Sequence, residues 1–139
     1  IVLPDVNVLV AIAWPSHVHH VNARNWFADA SRDGWATTPA TEAGFLRMSM
    51  NAAVVPRPTS AMEAITLLER LKGVGTHVFW ADATSARDLL VLATRIQGYR
   101  QIPDAHLVTL ATVHAGAVAT LDRGVRQLTA VPASVVVIE

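Results

Sequence analysis

Five short apolar runs alternate with stretches of helical periodicity, and this alternation constrains the fold more than any other feature of the sequence. Runs of this kind, bounded by turn residues, are typical of strands buried in a sheet. Two of them, Ala117–Leu121 and Val135–Ile138, are apolar almost throughout, as expected for strands covered on both faces. The predicted strands are Ile1–Leu3, Trp35–Thr38, His77–Ala81, Ala117–Leu121 and Ser134–Ile138.

Between these runs, apolar residues recur at spacings of three and four, as they do on one face of an α-helix. The predicted helices are Asn7–Ala13, His17–Ala30, Thr41–Met50, Ala61–Leu71, Ser85–Ile96 and Asp104–His114. Strands that alternate with helices favour a parallel sheet with helices on both faces. We therefore predict an α/β fold, a three-layer α/β/α sandwich with a mostly parallel central sheet of about five strands, built as a single domain over residues 1–139.

The composition excludes several classes of protein. There is no cysteine, which excludes disulfides, thiolate metal sites and cysteine nucleophiles and is compatible with the cytoplasmic location that we expect. No apolar run is long enough to span a bilayer, and Asp5 interrupts the first one, so we expect neither a membrane partner nor a signal peptide. The net charge is zero, so no overall basic field attracts nucleic acid. Hydrophobic residues make up 52% of the chain, and an oligomer interface is one natural place for them.

Four of the eleven acidic residues stand at strand ends or helix starts. Asp5 follows the first strand, and Pro4 before it has no N–H for a central ladder, so we expect the ladder to end there. Asp104 follows Pro103, which favours a helix start. The four acids are Asp5, Glu42, Asp104 and Asp122.

Chain geometry predicts that these acids meet at one edge of the sheet. From Asp104 a helix of about eleven residues runs roughly 16 Å, and about five strand residues return roughly 16 Å to Asp122. Asp5 and Glu42 lie at the same carboxyl edge of a parallel sheet, where open α/β folds bind ligands. An all-oxygen cluster of this kind suits Mg²⁺, with Mn²⁺ as a substitute. The alternative to a metal site is that the four acids lie on the surface and cap helices. For a single acid at a helix start, capping is the more common role.

Other polar residues near this edge have candidate roles. Asn7 and Thr120 can hold the carboxylates in place, because Asn7 lies two residues after Asp5 and Thr120 shares a strand face with Asp122. Arg47 and Arg123 can contact phosphate, or they can be surface residues or face a partner protein. The basic residues are almost all arginine, with Lys72 the one lysine.

Three histidines, His17, His19 and His20, suggest a zinc site, since His17 and His20 share a helix face. The chain offers no cysteine and no evident fourth ligand, so helix capping or packing at a rim is the favoured interpretation. His106 can approach the acidic edge, but a position on the helix surface is favoured.

Four segments in this order resemble the motifs of PIN-domain nucleases. They are Asp5–Leu9 (DVNVL), Thr41-Glu42 with Gly44-Phe45 and Arg47, Pro103–Leu107 (PDAHL) and Ala119–Gly124 (ATLDRG). Within this class the chain resembles the VapC toxins of bacterial toxin–antitoxin pairs, and Ala13-Trp14-Pro15 with the three histidines is similar to an actinobacterial branch. The resemblance covers nearly the whole chain.

The resemblance implies a PIN-like fold and a homodimeric, Mg²⁺-dependent endoribonuclease. Such an enzyme hydrolyses structured RNA, either tRNA or rRNA, and is silenced by a VapB-type antitoxin. Asp5, Glu42, Asp104 and Asp122 would form its acidic quartet as metal ligands and catalytic groups, supported by Asn7, Thr120 and Arg123. Whether Glu42 is a ligand or a general base stays open, as does the number of ions.

Two alternatives remain at this point. A Mg²⁺-dependent phosphatase of the haloacid-dehalogenase type also begins with an Asp after its first strand. It needs a second acid two residues later, where this chain has Asn7, and a well-placed lysine, whereas we expect Lys72 in mid-helix. The other alternative is a non-catalytic PIN module that binds RNA or protein, which would have no chemical need for four metal-suited acids at one edge.

Overall fold

The computed structural model describes residues 1–139 and contains one sheet of five strands. Each predicted apolar run supplies one strand, and every pair of neighbouring strands is parallel. In spatial order the sheet reads β3-β2-β1-β4-β5. The strands are β1 (Val2–Pro4), β2 (Trp35–Thr37), β3 (His77–Phe79), β4 (Ala117–Thr120) and β5 (Val135–Val137).

Five α-helices connect these strands. They are α1 (Val6–Ala13), α2 (His20–Asp33), α3 (Pro39–Ser49), α4 (Ala61–Lys72) and α5 (Ile102–Val113). Short 3₁₀ segments complete the chain at Ala86–Arg95, Tyr99–Gln101, Arg123–Leu128 and Pro132–Ser134. None of the helices has both the length and the apolar character that a membrane crossing requires.

The helices pack on both faces of the sheet, which confirms the three-layer α/β/α prediction. Leu3, Ala36 and Val118 face a core formed with α5 and the 3₁₀ segment Ala86–Arg95. Their strand neighbours Trp35 and Ala119 face the opposite core, formed with α1, α2, α3 and α4. Successive residues of each strand thus enter different cores, as the pleat requires.

The prediction of an α-helix over Ser85–Ile96 is wrong, because Ala86–Arg95 forms a 3₁₀ helix. Of this segment only Leu92 is buried, while Leu90 and Val91 are 68% and 85% exposed. A segment that buries so little of its apolar stripe gains little tertiary support for α-helical geometry. At its start the main-chain N–H of Ser85 donates to Oδ2 of Asp88 at 2.8 Å.

The second helix begins at His20, three residues later than predicted. The His17 ring accepts a hydrogen bond from the His19 main-chain N–H, which holds these residues in a turn. Val18 and Val21, two apolar residues within the predicted helix, are 87% and 67% exposed. The apolar periodicity therefore misplaced the start of this helix.

Pro4 lies in the central strand β1, and its position explains why it is tolerated. The Val2 N–H donates to Gly34 on the β2 side, whereas the Asp5 N–H donates to Ala119 on the β4 side. Alternation along the strand therefore points the imide nitrogen of Pro4 toward β2, where pairing is confined to Val2. The ladder to β2 has ended there, and Asp5 stands just past the strand as predicted.

Candidate active site

Asp5 is buried at the carboxyl end of β1, where it caps the first helix. Its Oδ1 accepts a hydrogen bond of 2.8 Å from the N–H of Val8, as an N-cap carboxylate does. The side chain is only 9% exposed, and it makes no ion pair with any basic residue. A carboxylate in this position is fixed in orientation but lacks a compensating charge.

Asp104 lies in the first turn of α5 and lines the same cavity as Asp5. The cavity has a volume of about 280 Å³, and Asn7 also lines it. Pro103 precedes Asp104 within the first two positions of α5, where a missing N–H costs nothing. Because α5 leads into β4, the neighbour of β1, the fold brings Asp5 and Asp104 together from nearly one hundred residues apart.

Thr120 connects Asp5 to Asp122 at the end of β4. Its Oγ1 accepts the Asp122 main-chain N–H at 3.0 Å, and its hydroxyl lies near enough to Asp5 to act to lower the pKa of that carboxyl. The Asp122 carboxylate is exposed and caps the following 3₁₀ segment, accepting the Gly124 N–H at 2.8 Å. Asp122 thus has the capping role of the surface alternative and does not line the cavity of Asp5 and Asp104, although its charge acts to raise the pKa of both.

The electrostatics of this cluster favour a cation. Burial, together with the negative charges of Asp5 and Asp122, raises the pKa of Asp104 to about 6. Burial also raises the pKa of Asp5, against the hydrogen bonds from Thr120, Val8 and Asn7 that lower it. Since no basic side chain offsets these charges, a divalent ion would relieve both the burial cost and the repulsion.

The side chains at this cavity could bind such an ion only together with oxygen ligands from water or substrate. No three His, Asp or Glu side chains of the chain are grouped closely enough to hold a metal by themselves. Asp5 and Asp104 would therefore supply two carboxylates, and the remaining positions would fall to water or substrate oxygens. Mg²⁺ binds in this way, since it keeps several waters and uses one or two carboxylates with substrate phosphates.

Glu42 is the one member of the predicted quartet that pairs with a basic side chain. Its Oε1 lies 2.9 Å from the Nζ of Lys72 and accepts a 2.6 Å hydrogen bond from Thr37. Lys72 is the last residue of α4 and not in mid-helix as expected, and it also pairs with Glu69 at 3.0 Å. Burial acts to lower the pKa of Lys72, but its bonds to the two glutamates outweigh this and raise it. Glu42 does not line the cavity of Asp5 and Asp104.

The two predicted phosphate-binding arginines differ in their surroundings. Arg47 makes no ion pair and lines a larger cavity of about 700 Å³ that shares walls with the acidic one. Arg123 pairs with Glu139 at 3.3 Å, and both side chains are mostly exposed. Arg47 is therefore the better-placed cation for a phosphate near Asp104.

The histidine trio does not form a zinc site. His17 bonds to Asn7 and to the main chain of His19, while the Nδ1 of His20 lies 2.7 Å from the carbonyl oxygen of Ala11. No metal-holding group includes any of them. These contacts support the interpretation of rim packing, and they place His17 next to a residue of the acidic cavity.

Sequence reasoning missed one acidic partner at this edge, Asp82, which is hydrogen-bonded to His106. Burial acts to raise the pKa of Asp82, but hydrogen bonds from His106 and Thr84 outweigh it and lower the pKa. Both residues line the larger cavity with Arg47. A signal was present, because Asp82 follows the third predicted strand just as Asp5 follows the first.

The raised pKa of Asp104 predicts a pH-dependent stability in the absence of divalent ions. The Asp104 carboxyl binds its proton more tightly in the folded chain than in the unfolded chain. Protonation of Asp104 therefore stabilises the fold fully below about pH 4, and this stabilisation is lost as the pH rises through about 6. After allowance for solvent screening, we expect the free energy of unfolding to fall by about 1 kcal/mol over this pH range. Urea unfolding in EDTA at pH 4.5 and 7.5, compared between wild type and Asp104→Asn, measures it. Parallel pH profiles of the two proteins would contradict the prediction.

No protein-family model matches the chain, but several individual proteins are similar over most of its length. Ribonuclease VapC38 of Mycobacterium tuberculosis is 48% identical over 123 residues, which cover 88% of this chain and 86% of the relative. Ribonuclease VapC39 of the same species is 41% identical over 125 residues, or 86% and 87% of the two chains. Ribonuclease VapC44 is 38% identical over 131 residues, or 94% and 91%. With this identity sustained across nearly full-length alignments, the chain belongs to the VapC ribonuclease family.

Proposed function

We propose that this chain is an endoribonuclease that depends on Mg²⁺, with Mn²⁺ as a substitute, and acts as the toxin of a toxin–antitoxin pair. The observation that carries the proposal is the shared cavity of the buried Asp5 and the half-buried Asp104, two carboxylates without a basic partner. Membership of a family whose relatives are named ribonucleases supports the reaction class. The substrate we propose is structured RNA, either tRNA or rRNA.

The chain's own residues divide the work of phosphodiester hydrolysis. Asp5 and Asp104 would hold the ion, and Asp122 would join them directly or through water, since Thr120 fixes the Asp122 main chain. When bound, the ion would supply a water of lowered pKa and neutralise charge on the phosphate. Arg47, free of ion pairs in the adjoining cavity, binds a neighbouring phosphate of the RNA.

Glu42 can contribute in this scheme only if its contact with Lys72 is exchanged for one with the cavity. In the structure the Lys72 ammonium and the Thr37 hydroxyl both bind the same oxygen, Oε1. We therefore assign the central roles to Asp5 and Asp104. Replacement of Glu42 distinguishes its two possible roles. A change in metal affinity would indicate a ligand, whereas a change in cleavage rate alone would indicate a general base.

Removal of the metal tests the proposal. Chain stripped with EDTA should not cleave tRNA or rRNA, and added Mg²⁺ or Mn²⁺ should restore cleavage. Without the ion, the carboxylates of Asp5 and Asp104 would repel the negatively charged phosphate of the substrate. Gel analysis of end-labelled RNA measures the activity. Cleavage that persists in EDTA would contradict the metal requirement, and binding without cleavage in Mg²⁺ would favour the non-catalytic module.

We also propose a homodimer and a VapB-type antitoxin as partners. Large apolar side chains stand at the surface, among them Val18, Met62, Leu90, Val91 and Val113, each at least 68% exposed. Exposed apolar side chains in this number favour association with other protein surfaces. The molar mass in solution, measured by light scattering for the chain alone and co-expressed with its antitoxin, tests both partners.

A further inference from the structure

We propose that His17 is a positioning residue that fixes the side-chain amide of Asn7, so that its N–H group stays free to donate at the acidic cavity. The inference deepens the proposed function and rests on it for the role in catalysis. Two hydrogen bonds carry it. The Nε2 of His17 lies 2.9 Å from the Oδ1 of Asn7, and the Nδ1 of His17 lies 3.0 Å from the main-chain nitrogen of His19.

The main-chain bond decides the tautomer of the ring. A main-chain N–H can only donate, so the Nδ1 of His17 that faces His19 must accept and carries no proton. The ring proton is then on Nε2. A protonated ring would place two donors against each other at Nδ1, and burial together with the charges of His19 and His20 lowers the pKa of His17, which favours the neutral ring.

The tautomer in turn decides the orientation of the Asn7 amide. Because Nε2 of His17 donates, the group that faces it must be the carbonyl oxygen Oδ1 and not the NH₂. The NH₂ group has no hydrogen-bond partner within the protein. Asn7 is exposed and lines the cavity with Asp5 and Asp104, so its free donor stands where the substrate phosphate would lie.

The fixed amide therefore acts as a donor and not as a metal ligand through its oxygen. We assign it to a non-bridging oxygen of the scissile phosphate, where an oriented N–H group stabilises the charge that develops during hydrolysis. Without His17 the amide is free to rotate, and its oxygen can turn toward the phosphate as easily as its nitrogen.

The first test reads the ring directly and needs no enzymatic activity. Long-range ¹H–¹⁵N correlation spectra of the labelled chain should show His17 with a protonated Nε2 and an unprotonated Nδ1. The Asn7 amide protons should shift in His17→Ala but not in His20→Ala, the control, which removes a ring bond to the Ala11 carbonyl in the same turn. A protonated Nδ1 would overturn the proposal even if the chain proves to be a ribonuclease.

The second test measures RNA cleavage in five variants, of which His20→Ala is again the control. His17→Ala and Asn7→Ala should each lower kcat by about tenfold, the scale of one hydrogen bond to a charged group, with a smaller change in KM. His17→Gln keeps a donor at the position of Nε2 and should restore most of the loss. The double variant, which combines His17→Ala with Asn7→Ala, should cleave no more slowly than Asn7→Ala alone, because His17 acts only through Asn7.

Three results would overturn the positioning role: additive losses in the double variant, no recovery with Gln, or an equal loss in His20→Ala. A wild-type chain that does not cleave RNA would instead overturn the proposed function. In that case the spectra still decide whether His17 orients Asn7.

Discussion

Replacement of Asp104 with Asn is expected to abolish RNA cleavage while the chain stays folded. Asn keeps the size of the side chain but removes the charge that would hold the ion together with Asp5. We expect the rate to fall by roughly three orders of magnitude, the scale for loss of one electrostatic group in a catalytic site. The fold should survive, because the charged form of Asp104 is disfavoured by burial and by its acidic neighbours. Initial rates on labelled RNA at pH 7.5 in Mg²⁺ measure the effect.

Two further variants make this experiment decisive. Asp5→Asn should lose cleavage equally, and it should remain folded because Asn caps a helix as well as Asp does. Asp29→Asn is the matched control, since the Asp29 side chain is 88% exposed. Its ion pair with Arg32, at 3.8 Å on the surface, contributes little to stability. Cleavage retained by both site variants would exclude this cavity as the active site and point to a contaminating nuclease.

The sheet could be predicted from the sequence because its strands carry an unambiguous signal. Both Ala117–Thr120 and Val135–Val137 lie where the apolar runs predicted. Ala117–Thr120 is buried throughout, whereas Val135–Val137 is the edge strand and only Val135 of it is buried. The parallel direction followed from the helices between the strands. The spatial order of the strands did not follow, because it depends on which crossover packs on which face.

Helix type and helix starts were less predictable, since they depend on competition with tertiary contacts. Ser85–Ile96 has helical periodicity, yet Leu92 is its only buried residue and the segment is a 3₁₀ helix. At His17 a side-chain bond to the main chain delays α2 until His20. Periodicity reports the residues that can be buried, but not whether a partner surface is present to bury them.

The acidic site was predictable in part. Asp5, Asp104 and Asp122 were found because strand ends of a parallel sheet share one edge, and their side chains influence one another in the structure. The surroundings of Glu42 were not predictable, because its partner Lys72 is thirty residues away on another helix. No local pattern specifies that contact. Asp82, in contrast, satisfied the strand-end criterion and was overlooked.

Replacement of Trp35 with Ala is expected to produce the largest loss of stability. Trp35 is fully buried in β2, and its ring packs edge-on against Phe27 at 4.9 Å and against His77 at 4.7 Å between ring centroids. Truncation of a buried aromatic side chain costs about 3 to 5 kcal/mol, against a total stability of roughly 5 to 15 kcal/mol for a domain. We expect the melting temperature to fall by roughly 10 to 20 °C, measured by calorimetry or circular dichroism.

Trp35→Phe separates the two contributions of this side chain. Phe keeps most of the packing against Phe27 but loses the indole N–H, which donates to the carbonyl oxygen of Val74 at 2.8 Å. The cost should therefore be only about 1 kcal/mol, the value of one hydrogen bond. Because Trp35 is on the face of β2 away from α5 and does not line the acidic cavity, the folded fraction of either variant should cleave RNA at the wild-type rate below its melting temperature. Equal destabilisation by Phe and Ala would show that the hydrogen bond, and not packing, dominates at this position.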